Sequence, residues 1–528
     1  MDAAMSSTDA IAAWIGVHGL AGVRADDLTW IQTHISHVFL VGDRVYKLRK
    51  PVTMPFLDFG TRAQRNADCV REVALNRRLA PDVYLGVVSV RLDGDALEVG
   101  GPRDEIVAPE CEHAVLMRRL PEGRDALAML ERERLSVDQL ERTATCLARF
   151  HEQVGLGRPA PWTASEWYDR NVDTVSDSVE TIEASGLLTA ERVERLRTAV
   201  GRAQVGLAPE FERRRLEGRA IDAHGDLHLD HVWFETDGGE PLLVDCLEFD
   251  DDLRRIDRAA EVAFLAMDLA YRGRDDLAEL FLAAYAADSD DYGLYTVVDY
   301  YASYRALVRA KVAALAATQE SVAEEQRRAA RESALRHVEL AERFLEARDG
   351  ALITLTCCTV GSGKSSVARG RAREAGGVSI SSDRLRKRLA GLDAADRAAE
   401  DVDAGLYAPE RRNSVYEAML DRAEPVVASG RRVILDASFS TKTVRDRVRV
   451  WAEKRGLKAR LLEVRCDPEI ARERLAVRER AGRDPSDAGP DFLPVSIDRF
   501  ESPDEWPAED HEIVRTDGAP SDWDEERA

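Results

Sequence analysis

Residues 351–368 read ALITLTCCTVGSGKSSVA. An apolar, strand-like run passes through a glycine-bearing loop straight into a segment of helical composition. Few folds accommodate that order. A strand apolar on both faces needs cover on both sides, which a sheet flanked by helices supplies. At the helix start, backbone N–H groups of the loop form a cradle for an anion. Gly361 and Gly363 permit torsions and a close approach that side chains would block. Gly361, Ser362, Gly363, Lys364, Ser365 and Ser366 would line nucleotide phosphates, with Lys364 reaching the β- and γ-phosphates and the Ser365 hydroxyl on Mg2+. The pattern G-x-x-x-x-G-K-[S/T] is met except at its first position, Cys358. There the strand gives way to loop, and a small residue suffices.

Downstream the order repeats. A strand is predicted at 351–357, a helix to about 375, strands near 378–380 and at 432–436, a helix over 441–455, a strand at 459–465 and a helix over 468–480. Such alternation means a parallel sheet with helices on both faces. Asp383 follows a short strand and opens a helix. It can accept a proton from a substrate hydroxyl, or simply cap the helix. Asp436 ends the strand RVILD, where it can hold the magnesium shell or merely terminate a strand. Arg474 and Arg478 lie four apart on one helix and Arg483 follows in a loop. They can neutralise a transferring phosphoryl group from a lid, Arg478 as a catalytic group, or form an ordinary solvated face. A Cys358 thiol beside phosphates suggests oxidation sensitivity, set against a small buried residue with inert sulfur.

The first part of the chain follows another rule. HISHVFLVGDRVYKL, 34–48, alternates around a Gly-Asp turn and predicts a hairpin. A helix is expected over 62–79, strands around an Asp-Gly turn within 83–99, and a strand at 113–120. A mostly helical body follows, interrupted at 220–250 by two short strands around TDGG. Strands first and helices after make an α+β pattern. A long charged helix over 320–348 ends at RDG, so the boundary is placed near 348, giving domains 1–348 and 349–528, the latter with an acidic tail. HGDLHLDHVWF at 224–234 and LLVDCLEF at 242–249 set two carboxylates, Asp226 and Asp245, about twenty residues apart. One can accept a hydroxyl proton while the other holds Mg2+.

Totals narrow the partners. The 528 residues carry a net charge of −23, which repels nucleic-acid phosphates except at a local basic patch. The acidic tail reads mainly as solubility. Seven scattered cysteines form no disulfide framework and no zinc pair, so reduced, cytoplasmic thiols are expected. No run approaches the ~18 apolar residues of a membrane span, and the N-terminus is a poor signal peptide. Oligomeric state is left open.

The C-terminal half resembles phosphate-loop kinases of the polynucleotide kinase, gluconate kinase and zeta-toxin type, through Gly361, Gly363, Lys364, Ser365, the pair Asp383 and Arg386, and LDAS around Asp436. The resemblance implies Asp383 as activator of an acceptor hydroxyl, with Arg386 near substrate. The N-terminal half resembles the aminoglycoside phosphotransferases, relatives of the protein kinases. That implies Asp226 as catalytic base, Asp245 as metal ligand, Lys47 on the phosphates, Glu72 as its ion-pair partner, and an adenine hinge near Met117. One letter departs from that pattern. His231 stands where the relatives have a metal-binding Asn, so the site leans on Asp245 and water, recruits Asp230 or Glu248, or is impaired. The histidines 224, 228 and 231 read as the kinase loop and not as a zinc site. The whole chain resembles a bacterial family joining an aminoglycoside-phosphotransferase-like half to a phosphate-loop half. It implies an ATP- and Mg2+-dependent transfer to a small-molecule hydroxyl. The alternatives are an N-terminal lobe that only regulates the other half, and a nucleic-acid end kinase.

Overall fold

The computed structural model describes residues 7–54, 57–319, 322–392, 396, 409–481, 486 and 488–518. The chain divides into two compact units, one of Met1–Trp167 with Glu212–Asp268, the other of Tyr168–Phe211 with Leu269–Ala528.

In the first unit the alternating residues of 29–118 build an antiparallel sheet. Its strands are β1 (Thr29–Gln32), β2 (Ser36–Val41), β3 (Arg44–Arg49), β4 (Tyr84–Asp93), β5 (Ala96–Val99) and β6 (Glu112–Arg118), in the order β1-β2-β3-β6-β4-β5. One face packs Phe39, Val41, Tyr46 and Leu48 against Ile11 and Ile15 of the helix Ser7–His18. The other packs Val83, Val87 and Val115 against Cys69 and Val73 of the helix Arg62–Asn76. That helix starts at a capping box between Thr61 and Gln64. Successive strand residues point to opposite faces. With Tyr46 and Leu48 on the first face, Lys47 and Arg49 both project toward the helix Arg62–Asn76. Farther on, β7 (Ala220–Asp222), β8 (Val232–Trp233), β9 (Leu242–Leu243) and β10 (Arg255–Asp257) form two short antiparallel pairs, β8 with β9 and β7 with β10. They fix the loop that carries residues 224–231 and the residues that follow β9.

The second unit holds a parallel sheet of β11 (Leu352–Cys357), β12 (Val378–Ser381), β13 (Arg432–Asp436), β14 (Ala459–Arg465) and β15 (His511–Arg515), ordered β12-β13-β11-β14-β15. The helix Lys364–Ala375 follows β11 directly, as expected. The tail read mainly as solubility contributes β15. It is an edge strand, HEIVR, whose partly exposed, half-charged composition hides it from a hydrophobicity reading.

The secondary-structure order changes between 348 and 352, but the compact units cut elsewhere. The helices Asp275–Ser289, Val298–Thr318 and Glu324–Phe344 belong with the parallel sheet. Arg431, buried just before β13, shows why. Its guanidinium bonds Glu279 at 2.8 and 3.0 Å and Asp299 at 2.9 and 2.7 Å, beneath the ring of Tyr295. Arg348 bonds the same two carboxylates, at 3.0 Å each. Arg431→Ala leaves Glu279 and Asp299 with Arg348 as their guanidinium and a cavity where the buried Arg431 stood. A loss of about 3 kcal/mol is expected, read as a lower denaturant midpoint of the full chain, with Arg431→Lys recovering part of it.

Candidate active sites

In the first unit, Lys47 extends from β3 between two carboxylates. Its Nζ lies 2.9 Å from Glu72 Oε1 and 2.7 Å from Asp245 Oδ1. Burial alone would push this ammonium toward neutrality; Asp245 and Glu72 outweigh it and hold it charged. Asp245 follows β9 with φ at 62°, a left-handed conformation uncommon for a non-glycine residue. Its N–H donates to the Tyr84 hydroxyl at 3.0 Å, which holds that conformation in place. The carboxylate is thereby turned toward Lys47 and His231.

Arg49 was not singled out from the sequence, yet it anchors this end of the sheet. It is buried and pairs with Asp68, Glu72 and Glu248. Glu248, one of the residues the sequence offers for recruitment to a metal, is engaged by Arg49. Burial, only partly offset by Arg49, pushes the Glu248 carboxyl up to about 8, so this crowd of carboxylates retains a proton near neutrality. The available signal was strand alternation, which puts residues 47 and 49 on one face.

The loop 224–231 delivers its groups to the same place. His224 is fully buried with Nε2 2.9 Å from the Val244 carbonyl oxygen, and burial lowers its pKa to about 3, so it is a neutral structural group. Burial would raise the Asp226 carboxyl, but His228 and His231 outweigh it and hold it well below the usual carboxylate range. His231 Nδ1 is 2.8 Å from the Asp226 carbonyl oxygen, and its Nε2 is 3.6 Å from Asp245 Oδ2. Asp230 instead offers its carbonyl to Trp233 Nε1. Met117 lies on β6 opposite Val45 and Tyr84 and is partly buried. The structure thus brings together Lys47, Glu72, Asp226, His231 and Asp245. A donor set that includes an imidazole nitrogen does not match the all-oxygen octahedron Mg2+ demands.

In the second unit, Gly361 and Gly363 have φ of 78° and 82°. A Cβ on Gly361 would meet the Ala471 carbonyl oxygen at 2.7 Å, so the loop there closes directly on the helix Pro468–Ala481. The Val360 N–H donates to Ser496 Oγ at 3.0 Å, and Thr516 Oγ1 donates to the Ser362 carbonyl at 2.7 Å. Neither brace was visible in the sequence, since both partners lie more than a hundred residues away. Lys364 opens the helix between Asp383 and Asp436, which keep it charged despite burial. Burial would raise Asp383, but Arg386 and Lys364 hold it down at about 2. Asp383 is paired with Arg386 in the first helical turn, while Ser381 is the N-cap. Asp436 is raised by burial, against Lys364 and a Ser365 hydrogen bond. Its Oδ1 is buried with no hydrogen-bond partner among the described residues. An orphaned carboxylate oxygen beside a serine hydroxyl fits a hard divalent cation, and Ser365 and Asp436 are the residues that would hold Mg2+.

Arg478 lies close enough to Lys364 to oppose its charge. Arg474 is turned to Thr516, with Nη2 2.6 Å from its carbonyl oxygen. It braces the loop from the side and is not poised in a lid. Arg483 lies outside the described residues. Cys358 is buried among Val367, Leu462 and Val464, and burial raises its thiol pKa. Of the two readings of this thiol, burial fits the small packing residue with inert sulfur. All seven cysteines are free. Among the described residues no helix is long and apolar enough to cross a membrane.

Residues 353–503 match the family model described as an AAA domain. Uncharacterized protein Rv2004c of Mycobacterium tuberculosis is 33% identical over 449 residues, 83% of either chain, and a protein of Mycobacterium bovis matches to the same extent. The chain belongs to their family. Among solved structures it is similar to a gluconokinase from Sinorhizobium meliloti (21% identity, 32% of this chain and 83% of that one, TM-score 0.23). It is also similar to the amicoumacin kinase hAmiN (11% identity, 64% and 95%, TM-score 0.39) and to an ethanolamine kinase of Plasmodium vivax (11%, 62% and 86%, 0.38).

For this family member the depressed Asp383 carboxyl has a consequence for stability. Its folded pKa lies below the unfolded value of about 3.9, so the stability it contributes is present above pH ~4 and is lost as pH falls toward about 2. The stability difference between wild type and Asp383→Asn is expected to be largest at neutral pH and to shrink through that window. Urea unfolding at a series of pH values measures it.

Proposed function

We propose that the chain transfers the γ-phosphoryl group of ATP to a hydroxyl of a small molecule, and that the phosphate loop of the second unit is a working transfer site. The observation that carries this reading is Lys364 at a helix start, between Asp383 and Asp436 and beside two left-handed glycines. The loop N–H groups and Lys364 would hold the β- and γ-phosphates. Ser365 and Asp436 would hold Mg2+, which when bound neutralises charge between the phosphates. A carboxylate with a pKa of about 2 is a weak base. Asp383 therefore serves first to orient the acceptor hydroxyl and accepts its proton late, as suits a loose transition state. Arg386 positions Asp383, and Arg478 offers a second cation toward the transferring group. We read residues 1–348 and 349–528 as the two functional modules.

We infer a second nucleotide site in the first unit, with Lys47 and Glu72 for the phosphates, Met117 at the adenine edge and Asp226 as base. One observation favours a regulatory variant of this reading. Lys47 is paired with both Asp245, at 2.7 Å, and Glu72, at 2.9 Å, so its charge is satisfied without a phosphate. In the variant, this site binds nucleotide and controls the other without turning over.

The compact units interleave along the chain, so the tests use full-length protein. Lys364→Ala is expected to weaken ATP binding at the C-terminal site by at least ~10-fold and to abolish transfer there. Asp383→Asn should leave ATP affinity near wild type and reduce transfer by roughly 10²-fold or more. Unchanged ATP-dependent phosphorylation of metabolite-extract components by Lys364→Ala, followed as a one-phosphate mass gain, would rule out the C-terminal assignment. Residual transfer that persists in Lys364→Ala and vanishes in Asp226→Ala would place turnover in the first unit; no such residue favours the regulatory variant.

A further inference from the structure

His231, His228, Asp226 and Asp245 make a cluster in the first unit that the phosphoryl-transfer reading does not fully use. The 3-10 turn Leu229–His231 directs the His231 ring inward, with only 15% of its side chain exposed. A carbonyl oxygen can only accept, so the 2.8 Å contact to the Asp226 carbonyl places the proton on His231 Nδ1. Nε2 is the ring nitrogen left to face Asp245 Oδ2, at 3.6 Å. This is the arrangement of metal-bound imidazoles, in which the far nitrogen donates to a backbone carbonyl and fixes the tautomer. Two ligands of one ion at about 2.1 Å lie roughly 3 to 3.5 Å apart, so a shift of a few tenths of an ångström brings this pair to bonding geometry.

Asp226 and His228 stand beside the pair. Asp226 Oδ2 is 3.7 Å from His231 Nδ1 and 3.6 Å from His228 Nε2, and the two imidazole rings have centroids 3.9 Å apart. Asp226, His228 and His231 each offer a ligand atom within 4.8 Å of the others. Asp245 is held by its left-handed backbone and the Tyr84 hydroxyl, so it is presented to this cluster and does not arrive there by side-chain freedom alone. Nearly half of its side chain remains exposed, which leaves an approach from solvent. Nitrogen and carboxylate donors together suit a divalent first-row transition ion, while Mg2+ prefers oxygen alone.

We propose that the first unit binds a divalent first-row transition metal through His231 Nε2 and the Asp245 carboxylate, in preference to Mg2+. The inference rests on that unit being a metal-dependent site, as the second-site reading has it, but it concerns the ion and not turnover.

Mn2+ is the probe, in full-length protein carrying Lys364→Ala so that the C-terminal site holds no nucleotide-bound ion. Pulsed EPR of bound Mn2+ is expected to show nitrogen coupling from one coordinated imidazole. His231→Asn should remove that coupling, weaken Mn2+ by about tenfold or more and narrow the gap between Mn2+ and Mg2+. Far-UV circular dichroism and the thermal midpoint check that the variant folds; Asp245→Asn, which leaves His231 in place, provides a second route to weaker Mn2+. Absence of nitrogen coupling, coupling unchanged in folded His231→Asn, or Mg2+ bound as tightly as Mn2+ would overturn the proposal. ATP binding is followed separately in the same protein. Nitrogen-coupled Mn2+ without ATP binding upholds the metal site and defeats the nucleotide reading; ATP binding without nitrogen coupling does the reverse.

Discussion

A lysine ammonium cannot be buried alone, and both candidate sites are built around that constraint. Desolvation of Lys47 and of Lys364 disfavours the charged form on which phosphate binding depends. Each is kept charged by a pair of carboxylates supplied from distant segments. Glu72 and Asp245 serve Lys47, and Asp383 and Asp436 serve Lys364. The carboxylates that stabilise the lysine are the same ones that can hold a cation or orient a hydroxyl. The charge compensation required for folding therefore assembles the chemistry as well.

The two halves reach this arrangement by different means. In the antiparallel unit, alternation along β3 delivers Lys47 and Arg49 to one face, and the strained backbone of Asp245 brings its carboxylate across. Arg49 shares Glu72 with Lys47 and draws in two further carboxylates, Asp68 and Glu248, and burial raises the Glu248 carboxyl. In the parallel unit, the cradle comes from the helix start and its two left-handed glycines. The flanking braces from Ser496, Thr516 and Arg474 hold the loop in shape, which limits what must be ordered when an anion binds.

Much of this was legible from residues alone. The phosphate loop, the strand and helix order after 350 and the hairpin read over 34–48 follow from local patterning, and the Lys47–Glu72 pair from the phosphotransferase resemblance. Cys358, where the loop pattern has glycine, packs in the core, and its burial, which raises the thiol pKa despite nearby Lys364, is not visible in the sequence. Arg49 escaped notice because an arginine in a strand ordinarily reads as exposed, and its three partners lie up to 199 residues away. β15 escaped because an edge strand with one solvated side carries little hydrophobic signal. The helices before 348 read as part of the first half, yet Arg431 ties Glu279 and Asp299 to the start of β13.

The sequence by itself determined the kinds of groups present and their order: two lysines, their candidate carboxylates, the glycines that permit the loop, and a histidine in place of an asparagine. Those follow from local rules, in which spacing of one or two turns or strands suffices. Only the tertiary structure decided which carboxylate meets which cation, which imidazole nitrogen faces a carboxylate, and which helices pack with which sheet. Those outcomes depend on desolvation and on contacts between segments far apart in the chain, where the cost of an unpaired buried charge selects one arrangement from many.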